Sequence, residues 1–130
     1  MKELISRIKE HEGFMGTVYK CSEGFDTIGY GTRLPLSQEE AELLLNYRLK
    51  QKIKDFEQKE PFLNNLPLNK QEILIEMSYQ MGVNGVLKFK KMWEALKHGD
   101  YQTASKEALN SMWAKQTPDR AKKLSDLMKA

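Results

Sequence analysis

The chain has a single cysteine, Cys21, so no internal disulfide is possible. Its two histidines, His11 and His98, add too few ligands for a zinc centre, which needs three or four protein donors. No window reaches the ~18 apolar residues that cross a bilayer, so no stable membrane insertion is expected. Repeats and low-complexity tracts are absent. The start, MKELISRIKEHEG, alternates charge with apolar residues and reads as neither signal peptide nor anchor. These absences point to a protein that accumulates in the cytoplasm. The charge imbalance is also slight, +3 with a pI near 8.9. It favours encounter with polyanions without choosing among them.

What remains is 130 residues, 40% hydrophobic and 30% charged, which suits one domain with a real core. Leu4, Ile5 and Ile8 form a helical stripe over residues 3 to 12, and Gly13 is placed to end it. Thr17, Val18, Tyr19, Thr27, Ile28 and Tyr30 are strand formers broken by glycines, predicting two or three short antiparallel strands. Ser37 and Glu40 have capping-box spacing ahead of a long stripe of Ala41, Leu44, Leu45, Leu49, Ile53 and Phe56. Pro61 and Pro67 bracket a brief helical turn. Asn69 is positioned to cap the next helix, with Ile73, Leu74, Met77 and Met81 inward. Gly82 and Gly85 break it. Further helices are expected near 90–97, 100–112 and 118–129, the last opened by Pro118. The expected fold class is α+β and mostly helical. It has a small antiparallel β lobe (about 13–36), a linking helix (38–57) and a larger helical lobe (1–12 and 60–130), flanking a cleft.

Residues 12 to 31, EGFMGTVYKCSEGFDTIGYG, carry the chemistry. Glu12 closes a helix, Cys21 lies at a strand end before a tight turn, and Thr27 sits in a strand. A helix C-terminus carries partial negative charge, which favours a carboxylic acid that keeps its proton, the form general-acid catalysis needs. The ordinary alternatives are a solvated acid, a small buried hydrophobe and a plain strand residue. A thiol is a poor base at neutral pH unless something lowers its pKa. Together the three groups could protonate a leaving group while a water is held on the far side of the bond.

Eight residues separate Glu12 from Cys21, and five separate Cys21 from Thr27. With that spacing and the flanking EG, YKCSEG and TIGYG segments, the chain resembles the phage-type lysozymes, or endolysins, of the T-even phage kind. YQMGVNGVLKF at 79–89 and WAKQTPDRA at 113–121 extend the resemblance over most of the sequence. It implies a lysozyme-like fold and a muramidase acting on the β-1,4 bond between N-acetylmuramic acid and N-acetylglucosamine in bacterial peptidoglycan. Glu12 would be the general acid, and Cys21 with Thr27 would hold the water. Glu23, Tyr79, Gln80 and Thr117 match cleft-lining, substrate-binding positions. Arg120 matches a supporting arginine that faces the catalytic glutamate, and its charge would oppose the helix-end effect. No metal and no organic cofactor are implied. The resemblance further implies a monomer that binds no nucleic acid, waits in the host cytoplasm, and reaches the wall through a holin at host lysis.

There are departures from the family pattern. Many relatives carry Asp where Cys21 stands. Cys21 could ionise and take the water's proton, position the water, or attack the anomeric carbon. The first two give an inverted product and are preferred. Position 32 is Thr where the T-even enzyme has histidine, and the segment between Leu34 and Ser37 is shorter. Trp113 reads as core, and the cluster Lys88, Lys90, Lys91 and Lys97 as a solvated face. Two rivals stand beside the hydrolase: a lytic transglycosylase, in which the muramyl 6-hydroxyl replaces water, and a non-catalytic module that binds polymer through its lysines.

Overall fold

The computed structural model describes all 130 residues, in two compact units, Met1–Leu44 and Leu45–Ala130. The first holds helix α1 (Lys2–Glu12) and strands β1 (Met15–Lys20), β2 (Asp26–Gly29) and β3 (Thr32–Arg33). The strands form one antiparallel sheet in the order β1-β2-β3. Tyr19 and Lys20 stand opposite Thr27 and Asp26, and Thr27 opposite Arg33. α1 ends where Gly13, at φ 69°, turns its N–H back to the Lys9 carbonyl. Its stripe of Leu4, Ile5 and Ile8 remains exposed. Only one residue of this unit is buried, and it is Thr27, at 1% exposure. A hydroxyl-bearing side chain therefore takes the place that an apolar one would hold in an ordinary sheet.

Helix α2 (Gln38–Lys59) starts with the expected capping box. The Ser37 N–H donates to Glu40 Oε1 at 2.9 Å, and the Glu40 N–H donates to Ser37 Oγ at 3.1 Å. Burial grows along its stripe, from exposed Leu44 and Leu45 to fully buried Phe56.

The second unit is helical: a 3₁₀ turn (Pro61–Asn65), then α3 (Leu68–Met81), α4 (Val83–Leu87), α5 (Lys90–Lys97), α6 (Tyr101–Leu109), α7 (Met112–Gln116) and α8 (Pro118–Lys129). Its core gathers Phe56, Leu74, Met77, Val86, Met92, Leu96 and Met128, with Trp93 edge-on to Phe56. α6 packs on both α5 and α8.

The structure corrects two local expectations. Asn69 does not cap α3; the helix begins at Leu68 after Pro67, so Asn69 already lies in the first turn. Residues 100–112 are not one helix. The chain breaks at Asn110, and Ser111 Oγ accepts the Ala114 N–H at 3.2 Å to begin α7.

Candidate active site

Glu12, Cys21, Thr27 and Glu23 all lie in the first unit. Glu12 is the last residue of α1 and is exposed. Its carboxyl group rests on Gly31, in the turn between β2 and β3. A Cβ at Gly31 would stand 2.6 Å from Glu12 Oε2 and 2.8 Å from Cδ, and the backbone there has φ 75°. Both the close approach and the left-handed φ require glycine. Within its unit the Glu12 carboxylate has no hydrogen bond or ion pair, so it is free to act on a ligand.

Cys21 opens the turn that joins β1 to β2. The Gly24 N–H donates to the Cys21 carbonyl at 2.9 Å, closing a four-residue turn with Gly24 at φ 85°. The Phe25 carbonyl then accepts two donors: the Cys21 N–H at 3.0 Å and the Thr27 hydroxyl at 2.8 Å. One main-chain oxygen thus ties the thiol-bearing residue to the hydroxyl-bearing one.

The Cys21 thiol is held below its ordinary pKa. The largest cause is a hydrogen bond from the Phe25 main chain. Partial burial pushes the other way, while the Glu23 main chain, the Thr27 hydroxyl and the Arg33 charge lower it further. Thr27 has one proton for two acceptors. In the neutral site it goes to the Phe25 carbonyl, where the 2.8 Å geometry is good. A thiolate would compete for it, and in either state the oxygen keeps lone pairs for a water.

Glu23 is exposed, and Oε2 accepts from Arg33 Nη2 at 3.0 Å. The same guanidinium lies over the Phe25 ring, 4.5 Å from its centroid. Across the sheet end, Lys20 pairs with Asp26 at 2.6 Å.

The remaining sequence candidates lie in the helical unit. Gln80 and Thr117, 37 positions apart, meet: Gln80 Nε2 donates to Thr117 Oγ1 at 3.3 Å. Gln80 Oε1 accepts from Trp113 Nε1 at 2.9 Å, and Thr117 Oγ1 donates to the Trp113 carbonyl at 3.1 Å. Trp113 is buried, edge-on to Phe89, as core. Tyr79 is 43% exposed. Arg120 Nε donates to Glu76 Oε2 at 2.9 Å, so its guanidinium is engaged on α3.

Three participants were not singled out in the sequence: Gly31 as a floor for Glu12, the Phe25 carbonyl, and Arg33. The TIGYG glycines were a visible signal for the first. The other two depend on strand pairing that no local pattern announces.

Residues 9–129 match the phage lysozyme family model. The chain belongs to the phage lysozyme family. It is 28% identical to probable T4-type lysozyme 1 of Dictyostelium discoideum, over 90% of this chain and 88% of that one. Probable T4-type lysozyme 2 of the same organism is 27% identical over 95% of this chain and 92% of its own length. The pre-baseplate central spike protein of Enterobacteria phage T4 is 28% identical over 91% of this chain, a stretch making up 26% of that longer protein. The chain is accordingly a lysozyme, a glycoside hydrolase of the muramidase type that acts on peptidoglycan.

Proposed function

We propose that the enzyme hydrolyses the β-1,4 bond between N-acetylmuramic acid and N-acetylglucosamine with inversion, using Glu12 as general acid and a water held by Thr27 and Cys21. The observation that carries this reading is the pair of bonds converging on the Phe25 carbonyl, which fixes Cys21 and Thr27 as one unit. Glu12, with its unpartnered carboxyl group on Gly31, supplies the proton. The bond from C1 to the glycosidic oxygen breaks, and that oxygen takes the Glu12 proton. Water attacks C1 from the opposite face and passes its proton to the thiolate of Cys21. Exchange with solvent then restores both groups. The lowered thiol pKa supports a base role for Cys21. Glu23, Tyr79, Gln80 and Thr117 are the proposed glycan-binding groups, and Arg120 is held by Glu76 on α3.

In this reading the protein is a monomeric endolysin, held in the host cytoplasm until a holin opens the membrane, and its target is the host wall. No helix is long and apolar enough to cross a membrane.

Glu12→Gln tests the acid. Wall clearing, followed as loss of turbidity, is expected to slow by about 10²–10⁴-fold, the contribution of a positioned general acid. Equal clearing by variant and wild type removes Glu12 from the role. Fresh product should carry the α anomer; a β product rules out inversion.

A further inference from the structure

We propose that Arg33 is a positioning residue of this active site: from β3 it clamps the Cys21–Phe25 turn, through Glu23 and the Phe25 ring, and so fixes the sulfur beside the Thr27 hydroxyl. The inference rests on Cys21 and Thr27 being the water-holding pair.

The clamp has a fixed base, because Arg33 stands opposite Thr27 in the β2–β3 ladder. From there its guanidinium makes two contacts on the turn: Nη2 to Glu23 Oε2 at 3.0 Å, and the planar face over Phe25 at 4.5 Å. Glu23 and Phe25 flank Gly24, whose N–H closes the turn onto Cys21. Phe25 also carries the carbonyl that both Cys21 and Thr27 use. The Glu23–Arg33 pair is more than half exposed on each side chain, so it contributes little to global stability. Two simultaneous contacts from one planar group instead specify geometry, and a lysine cannot reproduce them.

Charge acts in the same direction as shape. Arg33 lowers the Cys21 thiol pKa. The other charged groups around the turn are Lys20 and Asp26, which neutralise each other at 2.6 Å, and Glu23 itself. Removing Arg33 therefore leaves the Glu23 carboxylate uncompensated two residues from the sulfur. Both changes disfavour the thiolate.

The test alkylates Cys21 with iodoacetamide in the folded full-length protein, without substrate, across a pH range. Arg33→Leu is expected to lower the rate at pH 7 about fivefold, the upper range for an exposed ion pair, with little change on the alkaline plateau. Arg33→Lys, which keeps the charge but not the two planar contacts, should recover only part of the loss. In wall-clearing kinetics Arg33→Leu should lower kcat by a similar factor and leave KM within about twofold. An unchanged alkylation profile overturns the proposal. So does faster alkylation at every pH, the mark of a merely loosened turn, or a loss confined to KM. If the leucine variant does not fold, Arg33→Gln carries the same expectations. A shifted alkylation profile with unchanged kcat would leave the clamp standing and instead defeat the role given to Cys21.

Discussion

Replacing Gly31 with alanine separates placement of the acid from its mere presence. The new methyl group would stand 2.6 Å from Glu12 Oε2, 2.8 Å from Cδ and 3.1 Å from Cγ. That is roughly 1 Å inside the distance at which nonbonded heavy atoms rest. The obstacle is the end of a flexible side chain, so the carboxyl group moves and the backbone stays. A displacement of about 1 Å at a reacting group costs on the order of 10²-fold in rate. The φ of 75° adds a separate penalty of about 1–2 kcal/mol in folding stability, or roughly 3–8 °C in melting temperature. Gly29→Ala is the matched control. It has a similar φ, 71°, but its Cβ would meet only Thr32 Oγ1 at 4.0 Å. Both variants should melt lower by similar amounts, while only Gly31→Ala should lose wall-clearing rate by about two orders of magnitude. Full activity in Gly31→Ala, or equal losses in both, would refute the reasoning.

Two further outcomes probe the helical unit. Lys70 is buried at 3% exposure, with Nζ donating to the Leu127 carbonyl at 3.1 Å and lying 4.8 Å from the Tyr101 ring centre; burial lowers its pKa. The unfolded chain therefore binds more protons between the two pKa values, and wild-type stability rises with pH through that alkaline window. Lys70→Met, which keeps the length of the stem, should be neutral or stabilising by about 1 kcal/mol at pH 7. In urea melts that advantage should shrink toward pH 10, and an advantage that grew would contradict the assignment. Gln80→Leu leaves the part-buried Trp113 N–H without its acceptor and should lower stability by about 1 kcal/mol in a urea titration. Gln80→Glu, which keeps an acceptor, should lose less.

Elements governed by local chemistry were legible from sequence. The Ser37–Glu40 box, the inward face of α3 and Pro118 at the start of α8 each rest on spacing within a few residues. Asn69 misled because Pro67 already sets the entry to α3, leaving the favoured cap residue two positions too late. The α1 stripe has helical periodicity, but periodicity does not say what covers it, and Leu4, Ile5 and Ile8 are bare. At the site, residue types and spacing suggested Glu12, Cys21 and Thr27. They could not reveal that Gly31, 19 positions from Glu12, leaves room for its carboxyl group, nor that Arg33 reaches Glu23 and Phe25. Those contacts follow from strand register, which only the folded sheet specifies.

The joint at the Phe25 oxygen uses the amide of residue 21 and never its side chain. Every amino acid except proline brings that amide. Sulfur and carboxylate can thus be exchanged at this position while the neighbouring alcohol stays put. The loop works as a socket for interchangeable reagents: Cys21→Asp would keep the joint and change only the group offered to water.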